Sequence, residues 1–245
     1  ITSRLVGSEM CIRDSFSADA NQGAVLGDVG RELFMTDMAS PVSSVTLVKD
    51  IAAGAVSSNP EYFEPMQGKL YFTADNVIAG RELWKSDGTS MGTLLVTNIG
   101  SNASSSGPGE KVSLGDRIYF TTTYDYSTKL WESDGTHINS SVIYQSNTSI
   151  RDLSNQGGSL YFTTVDGTRI ALNKLDVQSA TVSNRGAVEM SSTRGEIIYA
   201  EANNTVFYFI VDDSIYSHTD NGIQQIHSAT VASSGIAGVG GKVFF

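Results

Sequence analysis

Three blocks of apolar and polar positions recur in step along the chain, and together they predict short strands and little helix. The first block is an apolar run followed by Thr: KLYFTAD at 69–75, RIYFTTT at 117–123 and SLYFTTV at 159–165. It decays to EIIYAEA at 196–202 and returns as KVFF at 242–245, while FSAD at 16–19 matches FTAD at 72–75. Taking Leu70, Ile118, Leu160, Ile198 and Val243 as equivalent gives steps of 48, 42, 38 and 45 residues. The second block is GRELFMTD at 30–37, GRELWKSDGT at 80–89 and TKLWESDGT at 128–136, with weaker versions around Leu172–Asp176 and Ile215–Asp220. The third is TLVKDI at 46–51, TLLVTNI at 93–99 and SVIYQ at 141–145. A short mixed stretch such as EYFEPM at 61–66 or KVSL at 111–114 precedes a new cycle. Four strand-like segments in about 45 residues is a period in the range of propeller blades.

The composition of each block supports that reading. A half-exposed strand alternates apolar with polar, whereas a strand covered on both faces reads as a continuous apolar run, as LYF and IYF do. Inner blade strands, sandwiched between neighbouring blades, meet that condition. Tyr71, Tyr119 and Tyr161 are therefore expected to pack between blades rather than to form a sugar platform. Phe34, Trp84 and Trp131 supply one large ring per cycle to fill the same space. Asp-Gly at 87–88 and 134–135 predicts hairpin turns with φ > 0 at both central residues. The fold expected is all-β: a β-propeller of four-stranded blades with about five repeats present. An open β-solenoid or a set of sandwiches is the alternative.

The blocks resemble the ELWxxDGT repeat family, through Glu82-Leu83-Trp84-Lys85-Ser86-Asp87-Gly88-Thr89, the following Gly92-Thr93 and the LVKDI run at 47–51. The resemblance is strong over 30–136 and faint from 165 onward, where Trp, Asp-Gly and Gly-Thr are mostly lost. It implies a propeller-like array in secreted or cell-surface bacterial proteins, and it brings no catalytic residue. RLVGSEMCIRDS at 4–15 resembles the translated read-through of a sequencing adapter. Residues 1–15 are therefore set aside as non-native, and 16–245 is taken as the repeat domain. Cys11, the sole cysteine, falls in the excluded part, so cysteine usage says nothing of compartment. Because GGKVFF stops within a strand-like run, the domain is expected to be a fragment of a larger ring. A closed five-bladed ring, completed around Ile236–Val239, is the competing arrangement.

Composition narrows the function classes. In 245 residues, 40% hydrophobic and 17% charged, there is ample material for a core. A net charge of −10 argues against a nucleic-acid-binding surface. No run approaches the roughly 18 apolar residues of a membrane-spanning helix. The recurrent Asp37, Asp87 and Asp134 read as turn caps rather than calcium ligands, since no DxDxDG loop gathers the oxygens calcium needs. His137, His218 and His227 show no HExxH spacing and are expected on the surface or in loops. No GxSxG elbow exists, and the glycines before Lys242 have the wrong spacing for a phosphate loop and lead into a strand. The sequons at Asn102, Asn139, Asn147 and Asn203 are no more than chance supplies in a chain rich in Ser and Thr. Only aromatics that break the repeat suggest a ligand site, and Tyr124 and Tyr126 in TYDYSTK do so. The expectation is an extracellular or cell-surface interaction module, not an enzyme, with no metal and no cofactor, binding protein or glycan through propeller-face loops. The alternatives are a propeller glycoside hydrolase or lyase with acids gathered at the central mouth, and a purely structural spacer.

Overall fold

The computed structural model describes residues 13–19, 29–37, 45–100, 105–124, 127–189, 198–203, 206–211, 214–219, 222–228, 237–239 and 242–244, and among them there is no helix. Consecutive strands pair antiparallel, each with the next in the chain, into sheets that follow one another in series. The first sheet holds β1 (Arg13–Asp19), β2 (Arg31–Asp37) and β3 (Val45–Lys49). The second holds β4 (Glu61–Met66), β5 (Lys69–Asn76), β6 (Gly80–Ser86) and β7 (Leu94–Leu95). The third holds β8 (Lys111–Leu114), β9 (Arg117–Tyr124), β10 (Ser127–Ser133) and β11 (Ser141–Ser146). The fourth holds β12 (Ser149–Gln156), β13 (Ser159–Asp166), β14 (Arg169–Asp176) and β15 (Thr181–Glu189). The fifth holds β16 (Ile198–Asn203), β17 (Val206–Val211), β18 (Ser214–Thr219) and β19 (Gly222–Ser228), and β20 (Ala237–Val239) pairs with β21 (Lys242–Phe244). These four-stranded meanders are the blades of a β-propeller architecture.

Two compact units divide the chain: Ile1–Tyr126 with Trp131–Val142, and Ser127–Leu130 with Ile143–Phe245. In the first, the core is built between successive sheets, and strand alternation explains how one strand serves two interfaces. Phe72, Ala74 and Trp84 point back at Leu33 and Val48 of the first sheet and at Ile51 just after it. Their neighbours Tyr71 and Leu83 point the other way, joining Met66 and Val96 against Ile118 and Phe120 of the third sheet. The apolar run of β5 is thus buried on both faces, and Trp84 is the ring expected between blades; Phe34 is buried as well. Trp131 stacks on Phe120 with centroids 6.2 Å apart. In the second unit Tyr161, Ile170 and Leu172 of the fourth sheet pack on Val211 of the fifth, with Tyr216 and Ile223 at the margin.

Two details, the strand of Ile198 and the Asp-Gly loop, differ from the sequence reading. Ile198 opens the first strand of its sheet, and β17 is the strand equivalent to β5. Phe209 faces Tyr216 there as Phe72 faces Trp84, so Phe207 takes the place of Leu70. From Leu70, Ile118, Leu160 and Phe207 the steps become 48, 42 and 47 residues, which is the more even repeat. Asp-Gly does not make a two-residue hairpin: β6 ends at Ser86, β7 begins at Leu94, and of the pair 87–88 only Gly88 has positive φ. Pairing in β1 begins at Arg13, opposite Asp37, so three residues of the segment set aside take part in the sheet. Ala237–Val239 pairs with Lys242–Phe244 as a separate two-stranded sheet.

One buried donor distinguishes two otherwise equivalent rings. Trp131 Nε1 donates to Thr122 Oγ1 at 3.0 Å. Trp84 Nε1 is buried with no hydrogen-bond partner among the described residues, and Ala74 stands where Thr122 stands in the next repeat. An unmet buried donor costs about 1–3 kcal/mol. Ala74→Ser, which adds a hydroxyl with little volume, is expected to raise unfolding free energy by about 1 kcal/mol in urea titrations, whereas Thr122→Ala is expected to lower it by a similar amount.

Candidate functional site

The Asp-Gly loops fold around their own side chains. Asp87 Oδ1 accepts from the Thr89 N–H at 2.9 Å and from its hydroxyl at 2.7 Å, and Thr89 Oγ1 in turn accepts from the Gly92 N–H at 2.9 Å. Thr93 Oγ1 donates to the Thr89 carbonyl at 2.7 Å, and the Gly88 N–H donates to Ser86 Oγ at 3.0 Å. A Cβ on Gly92 would overlap the Asp87 carboxylate, which explains the glycine there. The next repeat rebuilds the loop with other residues. Asp134 Oδ1 accepts from the Thr136 N–H at 2.9 Å and hydroxyl at 2.6 Å, while Asn139 Nδ2 donates to Asp134 Oδ2 at 2.7 Å. Ser140 replaces Thr93, donating to the Thr136 carbonyl at 2.7 Å. These bonds hold both carboxyls below their ordinary range, the Thr89 hydroxyl being the chief cause for Asp87 and the Thr136 hydroxyl for Asp134. Asp87 and Asp134 are therefore turn caps; the side chain of Asp37 lies outside the described residues.

The glutamate of the repeated motif, which the sequence reading passed over, has a larger task. Glu82 is wholly buried in β6, and four donors meet its carboxylate. Oε1 accepts from the N–H groups of Gly100 at 3.0 Å and Ser106 at 3.1 Å; Oε2 accepts from the Ile99 N–H at 3.3 Å and the Ser106 hydroxyl at 2.6 Å. Glu32 does the same one repeat earlier, binding the N–H groups of Ile51, Ala52 and Ser58 and the Ser58 hydroxyl. Burial pushes both carboxyls up from their ordinary value, and the hydrogen bonds pull against that rise. Each glutamate thus fastens the loop that carries the chain out of one sheet toward the next. The third repeat has Lys129 at this position.

The recurrent tyrosines also serve packing. Tyr71 is buried with its hydroxyl against Gly135, whose carbonyl accepts from Lys85 Nζ at 2.8 Å. In the second unit Tyr161 meets the His218 ring edge-on, 5.8 Å between centroids, with Lys174 Nζ 5.5 Å from the Tyr161 ring. His218 is buried in β18 and accepts from Arg185 Nε at 3.3 Å, so it is neither a surface nor a loop residue. It occupies the place of Ser86 and Ser133, which are buried in their own sheets. His137 is exposed in its loop, and the side chain of His227 lies outside the described residues.

Tyr124 ends β9 with its side chain outside the described residues, and Tyr126 lies outside them altogether. By sequence position they share the turn that, in the second sheet, exposes Val77 and Ile78. At the opposite end of the strands, the Asp-Gly loops carry side chains that no hydrogen bond or core needs. Met91 is 90% exposed and Ile138, its counterpart one repeat later, is 91% exposed. Among the described residues no three His, Cys, Asp or Glu side chains gather as metal ligands would. Nor does any helix of the described residues have the length and apolarity to cross a membrane. A Gln at position 82 would aim an amide donor at backbone donors; Glu82→Gln is expected to destabilise by about 1–3 kcal/mol in urea titrations, with Lys129→Gln changing stability little.

No protein-family model matches the chain, and no curated protein does. Solved structures share its fold at low identity. A chain of the nidogen/laminin complex superposes with a TM-score of 0.53 at 8% identity, over 94% of this chain and 84% of that one. A protein from Lactobacillus plantarum gives 0.51 at 11% identity, over 91% and 69%. The extracellular domain of a protein described as a hybrid two component system of B. thetaiotaomicron gives 0.51 at 16% identity, and this match covers 82% of the present chain and 27% of that one. At these identities the likeness establishes the β-propeller fold and nothing finer.

Proposed function

We propose that the chain is a secreted or cell-surface interaction module of the ELWxxDGT repeat kind, which binds protein or glycan through loops at the ends of its blades. The observation that carries this reading is the placement of Met91 and Ile138 at the tips of two loops fixed from within by hydrogen bonds. Large apolar side chains held out at equivalent places on rigid loops lose little entropy on docking, and apolar contact drives association. The repeated polar residues of the motif are taken up by bonds inside the fold, so the motif serves the scaffold and the loop tips are left for recognition. Binding is preferred to catalysis because the buried glutamates are spent on backbone N–H groups. Extracellular domains among the proteins of similar fold agree with the location.

An array of extracellular-matrix proteins and glycans tests the reading. The chain is expected to bind at least one member saturably, and Met91→Ser/Ile138→Ser is expected to weaken that binding about tenfold or more while leaving Tm unchanged. Absence of saturable binding, or binding indifferent to the double substitution, would contradict it.

A further inference from the structure

The first strand of the second sheet displays a tyrosine that the fold does not use. A β-bulge between Glu61 and Glu64 places Tyr62 and Phe63 opposite a single step of β5. Phe63 turns into the core, its ring 6.0 Å from Phe72. Tyr62 turns outward with φ +55° and remains 52% exposed. A bulky residue in the left-handed region carries a backbone cost of order 1 kcal/mol or more, and such positions cluster where a ligand is met.

The fourth sheet shows what this position does when it serves the scaffold. Its first strand has the equivalent bulge, between Arg151 and Ser154, and Asp152 sits there with φ +56°. The Asp152 carboxylate accepts from the buried Thr163 hydroxyl at 2.6 Å. Thr73 is the counterpart of Thr163, but its needs are met elsewhere. Its hydroxyl donates to the Pro108 carbonyl at 2.6 Å and accepts from Lys111 Nζ. Lys111 also donates to the Gly109 carbonyl at 2.8 Å, and its ammonium lies 5.2 Å from the centre of the Tyr62 ring. Position 62 is thereby released from the structural task, and the buried lysine backs one face of the ring.

Glu61, the neighbour of Tyr62 in β4, Arg81 and Glu64 are close enough to act electrostatically on Lys111, whose Nζ lies over the Tyr62 ring. Glu61 and Arg81 form an ion pair at 2.6 Å, with Arg81 Nη1 donating to the Asn59 carbonyl at 3.1 Å. Glu64 Oε1 accepts from the Ser113 N–H at 2.7 Å and hydroxyl at 2.8 Å. A half-exposed aromatic and a carboxylate–guanidinium pair gathered about the same lysine suit a pyranose. The C–H face of such a ring stacks on the aromatic, and its vicinal hydroxyls both donate to the carboxylate and accept from the guanidinium.

We propose that Tyr62, with Glu61 and Arg81, forms a subsite for one pyranose residue of a glycan, on a first strand rather than on the loop tips. This deepens the interaction-module reading and rests on it, but it is carried by different residues. The test is calorimetric titration of the full chain with cellohexaose, chitohexaose, xylohexaose and mannohexaose. At least one is expected to bind saturably, Tyr62→Ala to weaken it about tenfold or more, and Tyr62→Trp to retain it. Glu61→Gln is expected to weaken it too, with Tm unchanged in all three variants. No binding by any of the four, or binding unaltered in Tyr62→Ala, would overturn the proposal. A chain that binds an array protein through Met91 and Ile138 but none of these sugars loses this subsite and keeps the broader reading.

Discussion

A carboxylate removed from water must be met by donors, and at Glu82 four donors converge from a loop some twenty residues further along the chain. The link out of the second sheet, like the one out of the first, depends on that arrangement. Middle strands such as β5 and β6 need a neighbouring sheet on each face, so successive sheets must be delivered to one another closely and in order. Backbone links between sheets are irregular, with N–H groups that no ladder satisfies. The buried glutamate satisfies several at once and fixes the path of the link, at Glu32 as at Glu82. A buried charge lacking these partners would be a liability; with them it acts as a fastening between local strand and distant loop.

The motif therefore divides its labour by residue. Glu fastens the link, Leu and Trp fill the two opposite interfaces, and Asp caps a loop whose rigidity comes from Thr and Gly. Where the motif decays, the parts are exchanged one at a time. Asn139 and Ser140 replace Gly92 and Thr93 yet rebuild the loop: the Ser140 hydroxyl repeats the Thr93 bond to the threonine carbonyl, and the Asn139 amide adds a bond to the second oxygen of Asp134. His218 fills a place held by serine in earlier sheets by taking the edge of Tyr161 and a bond from Arg185. The repeat is a set of contacts that several side chains can make, which is why architecture outlasts the recognisable sequence.

Much of the fold was legible from residue pattern, for a physical reason. Strands covered on both faces must be apolar throughout, and KLYFTAD, RIYFTTT and SLYFTTV announce themselves. First strands were harder to read. They are bulged and half-exposed, as at Glu61–Glu64 and Arg151–Ser154, so no simple alternation marks them. IIYAEA was assigned to the wrong strand because an apolar opening does not tell a first strand from a second. Asp-Gly misled in the opposite direction: its side-chain bonds set a seven-residue loop where backbone preference alone favours a tight hairpin. The role of Glu82 could have been suspected from a charge lodged beside Leu83 and Trp84, but its partners lie too far along the chain to be read from spacing. Tyr62 gave no signal in sequence, since its exposure depends on a bulge and on a lysine fifty residues away.

Amide hydrogen exchange at Ile99, Gly100 and Ser106 tests the central claim most directly. These groups lie in a link between sheets and have no ladder partner; their described acceptor is Glu82. If the buried carboxylate fastens the link, they exchange as slowly as the amides of β5 and β6, opening only with the sheets themselves. Exchange at the rate of an unprotected loop would contradict that, and would leave the order of the blades to apolar packing alone.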